Sequence, residues 1–67
     1  MKVTCSGKVT DESTRVRISK ELSDLGVRWR FINDIVVANY YGDNPVIARR
    51  VIAIFETIPE RIIEQKI

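Results

Sequence analysis

The sequence contains no histidine. That removes the commonest general base near neutral pH, the Ser-His and Cys-His nucleophile pairs, and the commonest metal ligand. Cys5 is the only cysteine, so neither an intramolecular disulfide nor a thiolate cluster for zinc can form. A reactive thiol needs a cationic neighbour. The stretch Val3-Thr4-Cys5-Ser6 supplies none, and Cys5 reads as a small buried hydrophobe. No run approaches the roughly 18 apolar residues of a membrane span. The first eight residues lack the apolar core of a signal peptide, and a cytoplasmic, reducing location is expected. Gly and Pro are both scarce, at three and two residues, and no Gly-rich phosphate loop is present. Carboxylates are scattered over the chain rather than clustered. Together these absences predict a non-enzymatic protein without metal or cofactor.

What is present is a short, balanced chain of 67 residues, 45% hydrophobic and 30% charged. It reads as one folded domain over 1–67, with no linker, repeat or biased tract. A domain this small buries only about 60% of its unfolded surface, so support from a second subunit is expected. The net charge is +2 and the pI about 9.0. That charge is mild, and where it falls matters more than its size.

Alternation of apolar and polar residues predicts strands at 2–9 and 14–18. The polar cluster Thr10-Asp11-Glu12-Ser13 between them reads as a hairpin turn. Residues 19–26 read as a helical turn or loop that Gly26 ends. On a helical wheel the apolar residues of 27–41 scatter over the whole circle, so a helix is rejected there. The same residues sort well as a second hairpin about Asn33-Asp34, pairing Phe31 with Val36, Trp29 with Ala38 and Val27 with Tyr40. From Pro45 to Ile58 the apolar residues share one side of a wheel, with Asn44 as N-cap and Val46 the one intruder. Pro59 ends that pattern, and 60–66 reads as a polar last turn or two. The expected fold is α+β: a four-stranded antiparallel sheet of two hairpins, packed against one C-terminal amphipathic helix.

In that arrangement one sheet face packs under the helix and the other is open. Lys2, Lys8, Arg15, Arg17, Arg28 and Arg30 share the open parity, and no acid lies in the strands. Tyr41 and Asn39 join them. Arginines hydrogen-bond phosphate in a fork and stack on bases. The face therefore predicts a nucleic-acid footprint of Arg15, Arg17, Arg28, Arg30, Lys2, Lys8 and Tyr41, for DNA or RNA. An ordinary solvated sheet face carries the same residue types. Trp29 and Tyr40 have core parity. Ile32, Ile35 and Val37 lie on the open side, and exposed aliphatics on a small domain predict a covered surface. A homodimer interface is the simplest cover. The competing reading is a protein–protein interaction module, a small inhibitor or accessory subunit, whose acidic partner meets the same Arg, Tyr and aliphatic surface.

Two sets of residues resemble known families. Thr14 to Leu22, a basic alternating segment followed by a helical one, resembles the start of a ribbon-helix-helix repressor. That resemblance implies Arg15 and Arg17 as base readers and a helix across 20–41, against which Gly26 and the scattered wheel speak. Ile18-Ser19-Lys20, Trp29-Arg30 and Pro59-Glu60-Arg61-Ile62-Ile63 are similar to segments of small archaeal chromatin proteins. That fold implies a strand at 46–55, where the wheel gives a helix. Both are analogies that assign no function.

Overall fold

A computed structural model describes residues 1–67. Six elements follow in order: β1 (Lys2–Lys8), α1 (Glu12–Leu25), β2 (Arg28–Ile32), β3 (Ile35–Tyr41), α2 (Pro45–Glu56) and β4 (Arg61–Lys66). The four strands form one antiparallel sheet in the order β2-β3-β1-β4. β1 and β2 flank β3, and β3 and β4 flank β1, so two split βαβ units interleave. This is the ferredoxin-like connectivity.

The expected α+β class, the four-stranded antiparallel sheet and the second hairpin are present. The hairpin pairs Trp29 with Ala38 and Phe31 with Val36, and Asn33 takes φ 54° at its tip. An asparagine tolerates that left-handed conformation. The Pro45 helix is also present, with the Asn44 side chain accepting from the Val46 N–H.

Two segments differ from expectation. Residues 14–18 lie in helix α1, not in a strand, so the first expected hairpin does not exist and the sheet carries two helices rather than one. The cluster taken for a turn is a helix cap. The Asp11 carboxylate accepts from the Thr14 N–H and from the Ser13 and Thr14 hydroxyls. Ile18, Leu22 and Leu25 then recur at helical spacing, the first two fully buried, and Gly26 closes the helix at φ 73°. Val16, which completed the apparent alternation, is 57% exposed. The second difference is at 61–66, which pairs with β1 as an edge strand instead of extending a helix.

Both helices pack on one side of the sheet. The core joins Val3, Cys5, Val36 and Ala38 from the strands to Ile18 and Leu22 of α1 and to Val51 and Phe55 of α2. No polar side chain is buried. Gly7 permits the close approach of the turn before β4. A Cβ there would lie 2.8 Å from Ile58 Cδ1. The opposite side of the sheet has no layer over it.

Candidate nucleic-acid interface

The uncovered face is built in rungs, because residues opposite one another in antiparallel strands point to the same side. One rung runs Tyr41, Lys2, Lys66. The next runs Arg28, Asn39, Thr4, Glu64. The third runs Arg30, Val37, Ser6, Ile62, and the last Ile32, Ile35, Lys8. Cations thus line β2, β1 and β4, while Ile32, Ile35, Val37 and Ile62 gather toward the β2–β3 hairpin end. Ile32 is 47% exposed and Ile62 64%.

The cations of this face are Lys2, Lys8, Arg28, Arg30 and Lys66, against the single acid Glu64. None is held in an ion pair, since the one salt bridge of the molecule joins Arg17 to Glu21 elsewhere. The Lys2 ammonium lies 5.1 Å from the centre of the Tyr41 ring. Tyr41, with Glu64 contributing less, raises the Lys2 pKa above its ordinary value. Tyr41 is 71% exposed. Two open depressions of about 530 and 540 Å³ meet at Val27, Arg28 and Asn39.

Five of the seven residues expected to bind nucleic acid share this face: Lys2, Lys8, Arg28, Arg30 and Tyr41. Arg15 and Arg17 do not. Both lie on α1, in the layer on the far side of the sheet. Arg15 donates from Nη1 to the carbonyls of Val9, at 3.0 Å, and Asn33, at 3.2 Å. Its guanidinium stacks 4.1 Å over the Phe31 ring. It ties the start of α1 to the end of β1 and the hairpin tip. Arg17 donates to Glu21 and Thr57. Arg15 thus braces the fold while Arg17 makes only exposed contacts, and neither stands on the open sheet face where the sequence pattern places both.

The sequence pattern does not place Lys66 and Ile62 on this face, because 61–66 reads as helical by pattern alone. The available signal was Pro59 followed by a residue pattern that fits a half-covered edge strand, with Ile63 its one half-buried member. Trp29 is structural, as its parity implies. Its Nε1–H donates to the Ser23 hydroxyl at 3.1 Å, and its ring meets Phe31 edge-on at 5.9 Å. Ile32, Ile35 and Val37 lie together on the open face as expected. No three Cys, Asp or Glu side chains converge to hold a metal ion, and no helix is long and apolar enough to cross a membrane.

A separate cleft of about 480 Å³ lies between the β1–α1 and α2–β4 connections, lined in part by Lys8, Asp11, Arg17 and Glu60. Its charges are mixed, and Asp11 is already engaged in capping α1. Comparisons with known proteins give no match to a family model, a curated protein or a solved structure. The connectivity alone assigns no activity.

Proposed function

We propose that this protein is a small non-enzymatic nucleic-acid-binding module that holds a single strand on its open sheet face. Lys2, Lys8, Arg28, Arg30 and Lys66 neutralise phosphates, and Tyr41 offers a ring for a base to stack on. The observation that carries this reading is the set of five unpaired cations against one acid on a face with no covering layer. An open sheet face with an exposed ring suits unpaired bases better than a duplex, whose bases are already stacked.

The test is fluorescence anisotropy of a labelled oligonucleotide across a salt series. If all five cations meet phosphates, log K falls with log salt at a slope of about −3.5 for a single strand. Removing two phosphate contacts with Arg28→Ala/Arg30→Ala reduces that slope to about −2.1. Tyr41→Ala weakens binding by about 1–3 kcal/mol at any salt. Equal slopes for parent and the arginine double variant refute the site.

The second reading, a protein-interaction module, draws on Ile32, Ile35, Val37 and Ile62, which make an apolar end to the same face. An acidic partner anchored there survives high salt, whereas the nucleic-acid complex does not. A pull on either ligand at both low and high salt separates the two.

A further inference from the structure

The sheet has two free edges, β2 and β4, and their charges differ in kind. An open edge is a template for another strand unless something discourages it. On β2 the outward side chains are Arg28, Arg30 and Ile32. A two-fold pairing of β2 with itself centred on Trp29 sets Arg28 against Arg30, and one centred on Arg30 sets arginine against arginine. Like charges opposed across strands repel, so β2 resists its own copy in both of these registers, and the one centred on Phe31 offers Arg30 only Ile32. Its flank also meets α1 through the Trp29–Ser23 hydrogen bond.

The β4 edge is self-complementary. The Lys8 N–H donates to the Glu60 carbonyl at 2.9 Å. That phase turns the even-numbered residues of β4 toward β1 and leaves the backbone groups of Ile63 and Gln65 facing outward. In a two-fold antiparallel pairing of β4 with a second β4, Ile62, Glu64 and Lys66 then fall at the non-hydrogen-bonded positions, where opposed side chains come closest. Register decides what meets what. Centring on Glu64 opposes two carboxylates. Centring on Ile63 puts Glu64 against Ile62. Centring on Gln65 puts Glu64 of each copy opposite Lys66 of the other, twice by symmetry, and sets Ile63 beside Ile67. Nothing along β4 blocks approach: five of its six residues are exposed, and none is proline.

We propose that a second copy of this chain adds to the β4 edge about a two-fold axis through Gln65, joining two four-stranded sheets into one. The axis stands perpendicular to the sheet, so both open faces lie on the same side. This places the subunit contact at the strand edge rather than on the Ile32, Ile35 and Val37 surface. The pairing engages Lys66 with Glu64 and leaves Lys2, Lys8, Arg28 and Arg30 as the unpaired cations of the open face; it is tested without nucleic acid, so its failure and that of the nucleic-acid reading are distinguishable. One strand per copy is a small contact, so the dimer is weak and its formation depends on concentration.

The experiment is sedimentation equilibrium at low salt, up to about 1 mM chain so that a weak dimer is populated, on the parent, Glu64→Lys, Lys66→Glu and an equimolar mixture of the two variants. Circular dichroism checks that each is folded. The parent dimerises. Each single variant opposes like charges at both symmetric positions and raises Kd about tenfold or more. The mixture restores opposite charges at every position, and native mass spectrometry finds the heterodimer in preference to either homodimer. A parent that stays monomeric throughout overturns the proposal. So do single variants that dimerise as well as the parent, or a mixture with no preference for the heterodimer. A dimer lost in Ile35→Lys but kept in both charge variants moves the contact to the open face and overturns it equally.

Discussion

Arg15 gives the sharpest test of the fold against the pattern that misplaced it. On a sheet face its loss would cost binding and little stability. On α1 it donates to two backbone carbonyls, of Val9 and Asn33, and stacks on Phe31. Hydrogen bonds from a charged donor contribute about 1.5–3 kcal/mol when sheltered. One of these is half-sheltered and the other exposed, so the lower end applies. A cation–π contact at such a site adds about 0.5–1 kcal/mol. Arg15→Ala should therefore cost about 2 kcal/mol. For a domain of this size each kcal/mol moves Tm by about 4–8 °C, which gives a fall of about 8–16 °C. Arg15→Lys should recover only part of it, because an ammonium keeps the charge without the planar stack. Arg17→Ala is the control. Its ion pair with Glu21 is 45% and 39% exposed, and such pairs contribute less than about 1 kcal/mol. Thermal melts by circular dichroism read all three. If Arg15→Ala melts with Arg17→Ala, the assignment of Arg15 to the α1–β1–hairpin junction is wrong.

Three further outcomes follow from other parts of the structure. Hydrogen bonds from the Ser13 and Thr14 hydroxyls, then from the Thr14 N–H, hold Asp11 below its ordinary value of 3.8. A depressed carboxyl stabilises the fold fully above its unfolded pKa and stops doing so as pH falls through its folded pKa. The parent should thus lose stability on acidification below about pH 4, and Asp11→Asn, which can still cap, should lose less over that interval in pH-dependent urea melts. Gly7→Ala should destabilise by about 1–3 kcal/mol, because its Cβ presses on Ile58 in a filled core; an unchanged urea midpoint would show that Ile58 simply moves aside. Burial pushes the Cys5 thiol up to about 11, so Ellman's reagent at pH 8 should label it only at the rate of unfolding, and rapid labelling of the native protein would contradict its position in the core.

The hairpin β2–β3 and helix α2 were legible because each carries its signal locally. The wheel of 27–41 has no polar side, Asn33-Asp34 can turn tightly, and Asn44-Pro45 opens a one-sided apolar stripe. The 14–18 segment misleads because five residues are too few to tell period 2 from period 3.6: Val16 and Ile18 share a face in a strand but lie on opposite sides of the helix, where Val16 is exposed and Ile18 buried. Val16 and Ile18 satisfy an alternation, and only Leu22 and Leu25, further along, extend the helical spacing. Asp11 could not decide between the two periods, since the same types that form turns also cap helices. β4 was illegible for another reason. An edge strand covered on one face needs little apolar character, and Ile63 is its one half-buried residue.

The sequence by itself determined that imidazole chemistry and an intramolecular disulfide are absent, the α+β class, and the parity that segregates Lys2, Lys8, Arg28 and Arg30 from the core. These depend on residue chemistry and on periods within one element. Only the tertiary structure decided that β1 is central, that Arg15 and Arg17 belong to the helical layer, and that Glu64 and Lys66 border the basic face on a free edge. Strand order and edge exposure come from pairings between residues tens of positions apart, and the free energy of such a pairing rests on what the whole sheet buries rather than on any local pattern.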